Sequence, residues 1–250
     1  MDEHDGRRGR VLGTRDAVAH GAVGKVDGCH VRSSVYCYMQ SACSIRTECM
    51  EVNRRSQAAR STATRAALVQ AARPLFAARG FAGVGTETIV RAAGVTRGAL
   101  YHHFADKTEL FAAVYEAIEN DIAARIGKRI AAEGVADPVA VMTLGADAWL
   151  DACAEREVQQ IALLDGPAVL GWERWREIGM RYGMGLVEGV LAQAIELGRI
   201  PRQPVAPLAH VLVGALDEAA MYVARADDQA AASEEMRAVL ARLIAGIADR

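Results

Sequence analysis

The sequence predicts an all-α protein, and three observations carry that expectation. Alanine is abundant, aromatic residues make up only 5% of the chain and proline occurs 6 times; such a composition favours helix because Ala loses no side-chain entropy on entering one. From Ser61 onward apolar residues recur at the i, i+3, i+4, i+7 spacing of a helical face. The gaps between these runs carry helix punctuation, Gly at the ends and Thr or Asp at the starts. With 250 residues, 52% of them hydrophobic, the chain suits one large domain or a small one joined to a medium one, with ample apolar content to bury a core. The expected organisation is an N-terminal three-helix unit with a helix-turn-helix over residues 58–106, followed by a larger helical domain over residues 107–250.

Residues 1–57 differ in kind and are read as an irregular, disordered extension. They show no sustained helical period, and Cys29, Cys37, Cys43 and Cys49, four of the five cysteines, lie in the first 49 positions. Zinc sites bring ligands in close pairs such as C-x2-C. These spacings are wide and irregular, so free thiols are expected and no metal, even with His30 nearby. The extension is also read as upstream sequence before a native start at Met50 or Met39; a start at Met50 leaves 201 residues and every motif discussed below. No apolar run approaches the roughly 20 residues that span a bilayer. The opening Met1-Asp2-Glu3-His4-Asp5 lacks the basic and apolar regions of a signal peptide, and the expected location is the cytoplasm, with no membrane partner.

In the first helix, Leu68, Ala71, Ala72, Leu75 and Phe76 share one face while Arg65, Gln70 and Arg73 point elsewhere, and Gly80 ends the run. Pro74 breaks the pattern. It removes the hydrogen bond to the Gln70 carbonyl at a cost of ~3 kcal/mol in a helix interior, so a kink near Gln70 is expected. Thr86 is placed as the N-cap of a short second helix. Gly94 supplies the turn because, lacking Cβ, it enters the left-handed region freely. Val95 plugs the angle and Thr96 caps the third helix. There Leu100 and Phe104, four residues apart, face the core, while Arg97, Gly98, Ala99, Tyr101, His102 and His103 face outward. Small residues at the start of a helix that also carries Arg and ring donors suit a major groove ~12 Å wide. Adjacent His102 and His103 point about 100° apart on a helix and are not expected to chelate an ion.

Charge separates along the chain in the same sense. Residues 52–108 carry 9 basic and 2 acidic side chains, residues 109–250 carry 13 and 22, and no carboxylate occurs between Val52 and Thr86, where Arg54, Arg55, Arg60, Arg65, Arg73 and Arg79 all fall. A basic module on an acidic body fits phosphate binding by one part of the molecule; a solvated basic face is the alternative.

The stretch FAGVGTETIVRAAGVTRGALYHHFADK, residues 81–107, resembles the DNA-binding signature of the tetracycline-repressor family. The likeness covers about 50 residues and rests on the turn Gly94-Val95-Thr96, the run Leu100-Tyr101-His102-His103-Phe104 and the following Lys107. It implies a sequence-specific, DNA-binding transcriptional regulator acting as a homodimer on a palindromic operator. It further implies that Thr86 and Thr96 donate to phosphates, that Tyr101 contacts the backbone and that Lys107 clamps a phosphate, while Arg97, Gly98, Ala99 and His102 face bases. A surface charge at Lys107 and a core-serving ring at Tyr101 are the alternatives. Where Pro74 stands, the family usually has an acidic or polar residue. Asp106 and Glu109 read as an Asp-x-x-Glu capping box at the start of the fourth helix.

Beyond it, Leu110, Phe111, Val114, Ile118 and Ile122 line that helix, and Gly134 with Asp137-Pro138 separates it from a helix running towards Cys153. Asp165-Gly166-Pro167 starts another, leading through Trp172 to Trp175. Gly198 to Pro207 parts a helix ending at Leu197 from one over Val205–Arg225, and a last helix spans Ser233–Ala248. The wide apolar stripes of those two predict a four-helix dimer interface, with plain monomer core as the alternative. Trp149, Trp172, Trp175, Met180, Tyr182 and Met184 are the candidate lining of a pocket for a small apolar effector, because aromatics and flexible Met fit around apolar ligands. The expected function is a repressor released by that ligand; the alternative is an activator, or a regulator controlled by a protein partner. No nucleophile elbow, Walker loop, dinucleotide fingerprint or H-E-x-x-H occurs, so neither an enzyme nor a cofactor is expected.

Overall fold

The structure, a computed structural model, describes residues 57–248. The proposed extension, with its cysteines and start sites, lies outside them apart from residue 57. Among the described residues there is no strand. Helix α1 covers residues 57–79 and continues unbroken through Pro74, which is exposed. It is followed by α2 (Thr86–Ala93), α3 (Arg97–His103), α4 (Lys107–Glu133), α5 (Pro138–Cys153), α6 (Arg156–Val158), a π-helical stretch (Gln159–Asp165), α7 (Gly166–Leu170), α8 (Trp172–Glu196), α9 (Val205–Arg225) and α10 (Gln229–Ala248).

The predicted face of α1 is buried: Leu68, Ala72 and Phe76 are sealed against Ile89 and Val90 of α2, Leu100 of α3 and Phe104 just after it. Phe76, Phe81 and Phe111 form a ring cluster with centroids 5.3–5.9 Å apart, within the range of favourable aromatic pairing. That core does not stop at the expected 106/107 boundary. Through Leu110, Phe111, Val114 and Ile118 of α4 it runs on to Ala152, Val158, Ile161, Trp175 and Met221. Two smaller cores follow, one around Leu150, Leu240 and Ile244 where α5, α9 and α10 meet, the other around Leu191, Ile200 and Ala209 between α8 and α9.

Two expected elements differ. The helix starting at Asp165-Gly166-Pro167 ends at Leu170, because Gly171 turns to φ 77° and α8 begins afresh at Trp172. Asp165 does not cap it; its carboxylate accepts from the Phe81 N–H at 2.7 Å. The π-helical stretch before it was not expected. Its widened coil leaves the Ala162 carbonyl to accept from the buried Trp175 indole N–H at 2.8 Å. The indole lies so close that a Cβ on Gly166 would sit 2.7 Å from Trp175 Cδ1, so only glycine fits. The final helix begins four residues earlier than the sequence suggested, at Gln229, with Asp228 accepting from the Ala231 N–H as an N-cap does.

Candidate nucleic-acid interface and ligand cavity

Helices α2 and α3 are joined by Gly94 at φ 64°, whose N–H reaches Arg91 and Val90 carbonyls, and Val95 is half-buried in the angle. Thr96 caps α3, its hydroxyl accepting from the Ala99 N–H at 3.2 Å. Leu100 and Phe104 are buried. Arg97, Gly98, Tyr101 and His102 are exposed, and Ala99 and His103 half-exposed, which leaves one solvent-facing surface along seven residues. Arg97 Cζ lies 5.6 Å from the Tyr101 ring centroid. The Arg97 guanidinium and then the Thr86 hydroxyl hold the Tyr101 phenol below its ordinary value. The ring is 43% exposed, so it serves this surface rather than the core.

Thr86 is not the cap of α2. Gly85 holds that position without a side-chain bond, and Thr86 is the first helical residue, from which its hydroxyl reaches Tyr101 instead. Glycine, with Ser, Thr, Asp and Asn, is an accepted N-cap type, so sequence preference alone did not separate the two. The capping box at α4 is half-formed. Asp106 accepts from the Glu109 N–H at 2.9 Å, but the Glu109 carboxylate is taken by Arg174 of α8 in a two-pronged pair at 2.6 and 2.8 Å, which holds Glu109 below its ordinary value.

Lys107 has work inside the molecule. Its Nζ donates to the Phe81 and Val84 carbonyls at 2.9 and 3.0 Å and lies 3.9 Å from the Phe81 ring centroid. Two of its three N–H groups therefore close the α1–α2 loop. Lys107→Met keeps the stem and removes the charge-assisted bonds, leaving two carbonyls short of a donor. We expect a loss of about 1–2 kcal/mol, read by chemical denaturation; a change within ~0.5 kcal/mol would mean a solvated surface lysine after all.

Arg60, Arg65, Arg79 and Arg91 are exposed around this module, Arg65 with Cζ 5.1 Å from the Phe104 ring centroid. Arg73 is not among them. It bonds Asp121 of α4 at 2.5 Å and Glu157 of α6 at 2.8 Å, which favours its charged form. With Asp165–Phe81, these contacts fasten the three-helix module to α4, α6 and the π-helical stretch, while Glu109–Arg174 ties the start of α4 to α8.

A cavity of about 130 Å³ lies among α4, α5, α8, α9 and α10. Of the six residues expected to line a pocket, Trp149 and Tyr182 do. Trp149 is oriented by its indole N–H, which donates to the Leu216 carbonyl at 3.1 Å. The other four do not line it. Trp172 is 57% exposed at the start of α8, its ring tilted 5.1 Å from that of Trp175, which is buried against the π-helical stretch. Met180 is half-buried outside the lining, and Met184 packs against the α8–α9 core. Sequence reasoning missed the polar part of the wall, Glu119 and Asp217. Glu119 is buried, and burial with nearby Asp217 pushes it up to about 7 although the Tyr115 hydroxyl opposes the shift. Burial pushes Asp217 up to about 6 against the pull of Arg176, with which it is ion-paired.

Among the described residues no group of His, Cys, Asp and Glu could hold a metal ion, and no helix is long and apolar enough to cross a membrane. The sequence matches the profile of bacterial regulatory proteins of the tetR family over residues 68–114 and that of a tetracyclin repressor-like C-terminal domain over residues 139–247. Among curated proteins, the TetC protein of transposon Tn10 from Escherichia coli is 26% identical over 144 residues, 58% of this chain and 72% of that protein. The transcriptional regulator CymR of Pseudomonas putida is 39% identical over 82 residues, 33% of this chain and 40% of CymR. Among solved structures, a TetR-family transcriptional regulator from Pectobacterium atrosepticum is 31% identical with a TM-score of 0.68, and the match covers 77% of this chain and 97% of that one. RolR, solved with resorcinol, shares the fold at a TM-score of 0.62 and 22% identity over 77% of this chain and 96% of RolR. The N-terminal profile is of bacterial regulatory proteins, and CymR and the Pectobacterium protein are transcriptional regulators. A helix-turn-helix with an open α3 face, matched together with the helical body behind it, therefore places the chain in the TetR family of DNA-binding transcriptional regulators.

Proposed function

We propose that the protein is a repressor that leaves a palindromic operator in double-stranded DNA when a small apolar ligand enters the cavity, and that it works as a homodimer. The observation that carries this reading is the double role of α4. Near its start Leu110 and Phe111 belong to the core beneath α1–α3; further along, Glu119, Ile122 and Ile126 form cavity wall. A ligand that favours one setting of α4 therefore acts on the helix-turn-helix through the same rigid element, and lowers DNA affinity in proportion to its preference for that setting. A coupling of ~1–3 kcal/mol is sufficient for a switch.

The second copy is assigned to α9 and α10. Val211, Tyr222, Val239 and Leu243 stand 39–67% exposed on them, apolar side chains that a matching pair of helices covers. Two recognition helices then meet successive half-sites about one helical turn apart. On α3, Arg97 is assigned to a guanine edge, with Gly98, Ala99 and His102 facing bases beside it. Thr86, Thr96 and Tyr101 are assigned to the phosphate backbone, as is the remaining N–H of Lys107.

Footprinting of the DNA upstream of its own gene, followed by binding to randomised duplexes, tests this reading. Arg97→Ala should relax preference at one base pair by ~1–3 kcal/mol and leave the others unchanged. Uniform loss at every position would remove Arg97 from base reading, and failure to enrich any sequence at low salt would remove the operator itself. If DNA affinity moves with no compound in a ligand screen, control by a protein partner takes the place of ligand release.

A further inference from the structure

The cavity wall is apolar except at one end, and the charge there has one sign. Its lining includes the carboxylates of Glu119 and Asp217 and no Lys, Arg or His. The two acids are answered differently. Asp217 on α9 is paired with Arg176 of α8, a residue outside the lining. Glu119, only 5% exposed, has no basic partner among the described residues. Its neighbour is the Tyr115 hydroxyl one turn back on α4. From α8, Gly179 leaves room for that hydroxyl, since a Cβ there would approach it to 3.1 Å. From α5, the buried Cys153 thiol faces the same acids and is pushed up by burial and then by Glu119.

A buried carboxylate without a counter-charge is strongly disfavoured, and it either keeps its proton or acquires a cation. In the free protein Glu119 is pushed up to about 7, so it takes the first course below neutrality and stands ionised without a counter-charge above it. A ligand could supply the second. The cavity, about 130 Å³, is comparable with the ~150 Å³ apolar cavity that admits benzene, which sets the scale at one ring and a short arm. We propose that the cavity takes an apolar organic cation of that size, its ring against Trp149, Tyr182, Ile122 and Leu216 and a single protonated amine against Glu119. The proposal rests on the cavity being the effector site and names the charge of the effector. Carboxylates are excluded by the same wall, which would place like charges together.

Three probes with one ring and a two-carbon arm separate the possibilities: 2-phenylethylamine, 2-phenylethanol and 3-phenylpropanoate, titrated calorimetrically into the full chain at pH 6, 7 and 8. The amine should bind at least about tenfold more tightly than the alcohol at pH 8, and the propanoate should not bind. Because the amine needs ionised Glu119, its affinity should fall about tenfold from pH 8 to pH 6, while that of the alcohol stays level. In Glu119→Gln, with folding checked by circular dichroism, both the advantage of the amine and its pH dependence should vanish. Equal binding of amine and alcohol, preference for the propanoate, an amine advantage that survives in Glu119→Gln, or no binding by any probe would each overturn the proposal. Parallel DNA-release assays keep the two readings apart. Release by the alcohol or the propanoate alone would spare the effector site and remove the cation; amine binding without release would spare the cation site and remove its role as effector site.

Discussion

Replacing Gly98 by leucine is expected to weaken operator binding by on the order of 100- to 1,000-fold, about 3–4 kcal/mol, while the protein stays folded. Glycine inside a helix costs ~0.5–1 kcal/mol relative to alanine, and α3 has only seven residues over which to absorb that cost. Nothing within the protein asks for it. Gly98 is not among the glycines with positive φ, and a Cβ there would meet only Thr96 Oγ1 at 3.9 Å, an ordinary contact. The proposed function supplies a reason outside the protein, a DNA surface that approaches the α3 backbone beside Arg97 and His102. Gly98→Ala should accordingly stabilise the fold by ~0.5–1 kcal/mol in chemical denaturation and weaken binding modestly, with leucine much worse. Fluorescence anisotropy on an operator duplex gives the affinities. Wild-type binding by the leucine variant, or easier unfolding of the alanine variant, would show that this face approaches nothing or that the glycine serves the fold.

The same contrast between local and distant causes explains what could be read from the sequence. The turn at Gly94, the cap at Thr96 and the buried pair Leu100 and Phe104 follow from residues at most four apart, and each lies where its chemistry placed it. Features set by partners far along the chain were not legible. Trp175 reaches back to Ala162, Arg174 takes Glu109 from its capping box, and Asp165 reaches Phe81 rather than capping α7. The cavity candidates Trp172, Trp175, Met180 and Met184 follow from residue type alone, whereas the lining is decided by which helical faces meet. One signal was available. Tyr115, Ile118, Glu119 and Ile122 share an i, i+3, i+4, i+7 face of α4, so Glu119 is an acid set into an apolar stripe, a position where a carboxylate is rarely found without a reason.

That acid sets the second large effect: Glu119→Gln should stabilise the protein by on the order of 2–3 kcal/mol at pH 8 and change it little at pH 5. Glu119 is raised from its ordinary 4.5 to about 7. Between those values the native state holds a proton that the unfolded chain has released, so stability falls as pH rises, by ~1.4 kcal/mol per pH unit while the difference lasts. Above about 7 the native carboxylate is ionised too, and the full cost of holding it in the cavity wall remains. Glutamine keeps the shape and a hydrogen-bonding group for Tyr115 without the charge, so denaturation profiles of the two proteins should converge on the acid side and part through neutrality. Asp217, raised to about 6 with Arg176 opposing, slopes the same way over a lower interval in both proteins and leaves the difference between them intact. Asp217→Asn is the contrasting case, because it strands the mostly buried Arg176 guanidinium without its partner and should destabilise at every pH where Asp217 is ionised. Parallel profiles for wild type and Glu119→Gln, or a variant weaker than wild type at pH 8, would mean that the Glu119 charge is compensated in the free protein and that the cavity has no unanswered carboxylate to offer a ligand.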